Sequence, residues 1–197
     1  GAFDPLTVMS AYITGGRMSF EKFCRPREFE LQPQQKALPL LISPTSSKRG
    51  MLLLHKIGSG KTCTSIRIAE RFKGIRKIYY IVPAALQDNV RDELRGDCAS
   101  GYITAAERRE LADASTSPAR RAEIIELTNR RIDKVYTIMS YNKFVQGEAS
   151  GVDLSNAVLI IDEVQNLLSE TGSWYAATLE MISAAPASLR VVLMSAT

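Results

Sequence analysis

The sequence predicts an α/β fold built on a parallel sheet of at least five strands, with helices on both faces. Three observations carry that prediction. Five apolar runs of strand length recur, at 51–55, 77–82, 135–139, 157–162 and 190–194. Helical patterns lie between them, and strand–helix alternation is the mark of βαβ units. The runs are nearly continuous rather than alternating, as strands covered on both faces require.

The elements follow in chain order. Residues 1–28 are punctuated by Pro5, Gly15, Gly16 and Pro26 and are expected to form an irregular N-terminal extension. A short helix is expected over 34–41, limited by Pro39. SPTSSKRG, residues 43–50, is a turn-rich connector to the first strand. Further helices are expected at 61–72, 84–94, 141–145 and 174–184. The stretch 96–134 is too long for one crossover. It holds ITAAERRELADAS and SPARRAEIIELTNRRIDK, two amphipathic helices that form a helical insertion at about 97–134. Thr116 or Ser117 caps the second, with Pro118 in its first turn. Its arginines Arg120, Arg121, Arg130 and Arg131 are either a solvated face or a basic surface for nucleic acid.

Composition narrows the class. At 197 residues the chain suits one domain with a small extension, here 29–197 and 1–28. Apolar residues at 45% and charged residues at 23% are those of a globular protein. The net charge of +4 permits an anionic partner without demanding one. Three scattered cysteines, Cys24, Cys63 and Cys98, with a single histidine, argue against a disulfide scaffold or a structural zinc site and for a reducing compartment. No apolar run approaches the ~20 residues that span a bilayer, so no membrane partner is expected. Gly1 in place of an initiator Met, and the abrupt end after VVLMSAT, are what a fragment would show.

The chemistry begins at LLLHKIGSGKTCTSI, residues 52–66. A strand, a glycine turn and a helix in that order form a phosphate-binding loop. Gly58 and Gly60 let the backbone wrap an anion, and the amides that open the helix point at it. The lining residues would be Gly58, Ser59, Gly60, Lys61, Thr62 and Cys63, with Lys61 on the β- and γ-phosphates and the Thr62 hydroxyl on Mg²⁺. The strict pattern has glycine where this chain has His55, which reads as a packed strand-end residue. About a hundred residues on, AVLIIDEVQNLL (157–168) carries an acidic pair out of a strand. At the carboxyl edge of the sheet Asp162 would hold Mg²⁺ and Glu163 would orient and deprotonate a water. RVVLMSAT brings Ser195 and Thr197 to the same edge, where their hydroxyls reach Gln165.

These words together resemble the first RecA-like domain of superfamily 2 helicases and translocases, a P-loop NTPase fold. HKIGSGKT is similar to motif I, DEVQ to motif II of the DEx(H/Q) type, and SAT to motif III. PAALQDNVRDEL (83–94) is similar to motif Ia of double-stranded-DNA translocases. FELQPQQ (29–35) resembles the glutamine motif that reads adenine, with Gln35 the better match and Gln34 the alternative. IMSYNKF (138–144) resembles the Ib region. The wording around the motifs is nearest to helicases of nucleocytoplasmic large DNA viruses, relatives of the poxvirus early transcription factor small subunit and nucleoside triphosphatase I, although that group usually ends motif II in His.

The resemblance implies an ATP- and Mg²⁺-dependent motor on nucleic acid, DNA before RNA, with viral transcription as the process it would serve, in the host cytoplasm, virus factory or virion. It assigns catalysis to Lys61, Asp162, Glu163 and Gln165, coupling to Gln165, Ser195 and Thr197, and nucleic-acid contact to Asn89, Ser140 and Tyr141. It also implies a second RecA-like domain, with its arginine finger, as partner. The isolated chain is expected to be monomeric and nearly without turnover. An AAA+-type ATPase and a non-catalytic nucleic-acid-binding module are the alternatives.

Overall fold

The computed structural model describes residues 29–56, 58–146, 151–168 and 173–196. The N-terminal extension at 1–28 and Thr197 lie outside the described residues. From Leu31 onward the chain forms one compact unit.

A short helix, α1 (Pro33–Leu41), precedes β1 (Gly50–His55) and α2 (Lys61–Glu70). β2 (Lys77–Ile81) leads through a 3₁₀ turn into α3 (Gln87–Arg95). The helical insertion is α4 (Ala105–Ala112) and α5 (Pro118–Asp133). β3 (Tyr136–Met139), α6 (Tyr141–Phe144) and β4 (Ala157–Ile161) follow. A 3₁₀ segment (Val164–Leu168), α7 (Ser173–Ala184) and β5 (Arg190–Ala196) complete the order. Every expected strand and helix is present among these, with ends shifted by a few residues. Thr104 caps α4 through the Glu107 amide and Ser117 caps α5 through the Arg120 amide, the second of the two caps the sequence allowed.

The five strands are all parallel, in the order β1-β5-β4-β2-β3. Alternate residues of the central strands feed two separate cores. Ile78, Tyr80, Val158, Ile160, Val192 and Met194 pack against Ile66, Ala69, Val90 and Leu94 of α2 and α3. Tyr79, Ile81, Leu159 and Ile161 pack against Tyr141, Phe144 and Leu167 on the other face. Both faces being covered is why β4 is buried at every position, and why its sequence reads as an unbroken apolar run.

Register aligns the strand ends that matter. Leu54 pairs with Ser195 and Ile161 with Leu193, so the phosphate loop after β1, the acidic pair after β4 and Ser195 in β5 meet at one carboxyl edge. The order passes from β1 to β2 across two intervening strands, and an α/β sheet binds ligands at such a crevice.

One expectation is overturned. Cys63 and Cys98 form a disulfide, with Cα atoms 5.3 Å apart and both side chains buried. The partners lie 35 residues apart, so no short paired spacing marks them. Packing of α2 against α3 brings the first turn of one to the turn that follows the other.

Candidate functional site

The glycine turn adopts the conformation its residues were chosen for. Gly58 and Gly60 have φ of 78° and 75°, and Gly60 caps α2. A side chain at Gly60 would also place its Cβ 2.4 Å from Gln35 Nε2. That contact reflects a brace from α1: Gln35 Nε2 donates to the Gly60 carbonyl and Gln34 Nε2 to the Ser59 carbonyl, each at 3.2 Å. Gln35 is buried, and its Oε1 accepts from the Gln32 amide at 2.8 Å. Gln34 was the sequence's alternative to Gln35; both touch the loop.

Beneath the loop, the Ser65 hydroxyl donates to the Thr62 carbonyl at 2.8 Å. Its single proton is spent there, so Tyr80, 2.6 Å away, donates to it. This chain of bonds ties the first turn of α2 to β2. Lys61, Thr62, Cys63, Gly58, Gly60 and His55 line a cavity of about 370 Å³, closed on another side by Glu93 and Glu163. Glu93, on α3, is a lining residue the sequence reading missed. His55 ends β1, and its Nδ1 is buried without a partner among the described residues.

Lys61 stands between the two acids. Its Nζ is 2.5 Å from Glu163 Oε1 and 2.9 Å from Asp162 Oδ1. Burial works against its charge, yet the bonds to Glu163 and Asp162 leave its pKa above the ordinary lysine value. Burial pushes the Asp162 carboxyl up against the pull of Lys61. Burial also opposes the Glu163 charge, but Lys61 and Gln165 outweigh it and hold that carboxyl below its usual value.

The turn that carries the acids is tightly tied. Glu163 has φ of 51°, left-handed for a non-glycine residue, and its amide donates to Asp162 Oδ1 at 2.8 Å. Gln165 Nε2 donates to Glu163 Oε2 at 2.5 Å, and Ser195 Oγ donates to Gln165 Oε1 at 2.8 Å. One amide therefore spans from the acid after β4 to the hydroxyl of β5.

Residues 32–197 match the family model described as DEAD/DEAH box helicase. The chain belongs to the DEAD/DEAH box helicase family. Among relatives of this helicase domain, a protein of Acanthamoeba polyphaga mimivirus named an ATP-dependent RNA helicase is 46% identical over 181 residues, 91% of this chain and 32% of that protein. A protein of Invertebrate iridescent virus 3 named a helicase is 25% identical over 175 residues, 75% of this chain and 17% of that protein. The helicase domain thus spans at most about a third of these relatives. A chain in a solved S. cerevisiae dbp5 complex with ADP superposes with a TM-score of 0.50 at 15% identity, covering 100% of this chain and 47% of that one, a likeness of fold.

In this helicase domain the expected nucleic-acid residues do not all meet. Asn89 lies beside Thr62, Asp92, Glu93 and Gly96, whereas Ser140 and Tyr141 line a separate cavity with Asn166 and Trp174. Ser140 caps α6 through the Lys143 amide, and Tyr141 is buried. The arginines of the insertion are engaged within it. Arg120 bonds Glu110 and Glu123, Arg130 bonds Glu126, Arg131 bonds Glu107, and Arg121 donates to the carbonyls of Leu111, Asp113 and Thr116. Such pairing is what a solvated helical face would show. Among the described residues no helix is long and apolar enough to cross a membrane.

Proposed function

We propose that this domain is the nucleotide-binding half of an ATP-driven motor on nucleic acid. The observation that carries the reading is the grip of Lys61 on Asp162 and Glu163 beneath a left-handed glycine loop at one sheet edge. The loop amides from Gly58 to Cys63 would cradle the phosphates, with Lys61 moving from the carboxylates to the β- and γ-phosphoryl oxygens. Glu163, held ionised, would orient the attacking water and take its proton. Gln165 would relay the state of that carboxylate to Ser195. Gln35 would release the Gly60 carbonyl to read the adenine edge.

The donor set fits a magnesium ion. The Thr62 hydroxyl lines the cavity, and the Asp162 carboxylate lies behind it, 2.9 Å from the Lys61 ammonium that also lines it; both are hard oxygen donors. Bound with the nucleotide, Mg²⁺ would supply charge neutralisation between phosphate oxygens.

A second RecA-like domain would close on the nucleotide and contribute an arginine, so this domain alone would bind ATP weakly and hydrolyse it little. The wording of 83–94 favours DNA as the track, while the name of the mimivirus relative favours RNA. The viral relatives support a viral source, with action in the virus factory or virion, and a role in transcription akin to the poxvirus factors.

Titration with a fluorescent ATP analogue tests the core of the reading. Wild type should bind in the presence of Mg²⁺ and Lys61→Ala should lose most of that binding. In a chain that also carries the second domain, Glu163→Gln should lower turnover by about 10²–10⁴-fold while keeping affinity. Stimulation by single-stranded DNA, duplex DNA and RNA, measured separately, identifies the track. Equal nucleotide affinity in wild type and Lys61→Ala would refute the site.

A further inference from the structure

The second cavity, of about 370 Å³, lies on the same edge of the sheet and is walled by Pro83, Ser140, Tyr141, Asn142, Asn166 and Trp174. Its floor is aromatic. Trp174, at the start of α7, stacks on Tyr141 with ring centroids 5.6 Å apart and planes 28° from parallel. Tyr141 is 4% exposed, while Trp174 is half-buried and lines the cavity. The polar groups around the ring are one hydroxyl and two carboxamides. Neither a lysine or arginine nor a carboxylate lines the cavity among the described residues.

That combination suits one kind of occupant. A flat aromatic face with neutral donors and acceptors at its rim fits a nucleobase, which stacks through its face and pairs through its edge. A cavity this small holds one base and its sugar rather than a length of strand. A base in a duplex is already stacked on both faces, so the occupant is an unpaired one.

The floor is also wired to the acidic turn. The Tyr141 hydroxyl faces the carbonyls of Asp162 and Glu163, the second at 3.0 Å. The Asn166 backbone amide donates to the same Glu163 carbonyl at 2.9 Å. Glu163 is held at positive φ, so its side-chain direction depends on these backbone anchors.

We infer that this cavity takes an unpaired base of a nucleic-acid strand against Trp174, and that Tyr141 is a positioning residue that couples its occupancy to the Asp162–Glu163 turn. The inference rests on the nucleic-acid reading above, and it adds a stacking residue and a route from strand to carboxylates.

Trp174 is the chain's single tryptophan, so its emission reports on the cavity directly. Oligothymidylate and oligouridylate of about 12 nucleotides are titrated at low salt, with end-label anisotropy recording binding independently. Saturation should quench Trp174 emission, and a blunt duplex should quench it far less. Trp174→Ala should weaken oligonucleotide binding by about 5- to 150-fold, the range of aromatic–base stacking, and leave the fluorescent ATP analogue bound as in wild type. Saturating oligonucleotide should change the affinity for that analogue by about fivefold or more in wild type, and Tyr141→Phe should abolish the change while keeping the quench.

Anisotropy that saturates without any change in Trp174 emission overturns the stacking site and leaves the motor reading intact. A quench with no change in analogue affinity in wild type, or with an equal change in Tyr141→Phe, overturns the coupling. Binding of the analogue without binding of any oligonucleotide overturns this inference and the nucleic-acid track, and absence of both overturns the nucleotide site as well.

Discussion

Ser195 Oγ donates to Gln165 Oε1 at 2.8 Å, while the other end of the same amide donates to Glu163. The Glu163 carboxylate can only accept, so it takes the NH₂ end of the amide and leaves the carbonyl end for the Ser195 hydroxyl. Removing either residue frees the other to turn. A double-mutant cycle of Gln165→Ala and Ser195→Ala, read by denaturant unfolding, should give a coupling of about 0.5–1 kcal/mol. Additive single effects would mean that the bond contributes nothing to stability.

Gly60 is constrained twice, by its left-handed backbone and by Gln35. Gly60→Ala should lower stability by about 1–2 kcal/mol and weaken nucleotide binding, since the new methyl must displace the Gln35 brace. Gln35→Ala in the same background removes the collision but not the backbone strain, so it should restore part of the loss. Thermal melts of the single and double variants check the order. Full restoration would assign the whole cost to the collision.

Glu107 should make the insertion acid-sensitive. Arg131 forks onto its carboxylate at 2.7 and 2.9 Å and, with the Thr104 amide, holds it down to about 2 from an ordinary 4.5. A carboxyl whose native pKa lies below its unfolded one contributes stability that is full above the unfolded value and lost as the pH falls through the native one. The loss should therefore run from about pH 4.5 down to about pH 2. Melting temperature should fall more steeply across that window in wild type than in Glu107→Gln. Parallel curves would show that the pair contributes nothing.

The Cys63–Cys98 bond makes a chemical prediction. Denatured without reductant, the chain should take up one equivalent of alkylating agent, and with reductant three, as its cysteine content requires. Reduction should cost about 2–4 kcal/mol of stability, because it frees a long loop in the unfolded chain. Three labels without reductant would show the thiols free, as the sequence alone suggested.

Much of this was legible in advance because it is local. GSGKT, DEVQ and SA each sit at the end of a strand whose apolar run reads unambiguously, and parallel pairing then leaves their meeting place little freedom. What escaped depends on contacts between distant segments. Gln34 reaches Ser59 across 25 residues, Glu93 joins the phosphate cavity from α3, and Trp174 meets Tyr141 from another helix. None carries a periodic or spaced signature. Asn89 was grouped with Ser140 and Tyr141 by motif order, but the direction of α3 turns it toward Thr62 instead. The cysteines were read as unpaired for the same reason: their 35-residue separation is silent until α2 and α3 pack together.

The bridge from Lys61 to Asp162 and Glu163 commits one ammonium group to two carboxylates. On the function proposed above, an arriving polyphosphate would compete for an ammonium group in use, and the free energy of capture would be the difference between two ion pairings rather than the whole of one. The reverse step gains what the forward step loses. On that same function, the two carboxylates would reclaim the lysine as product departs, so that the fold itself would hold the anion that helps to evict the last one.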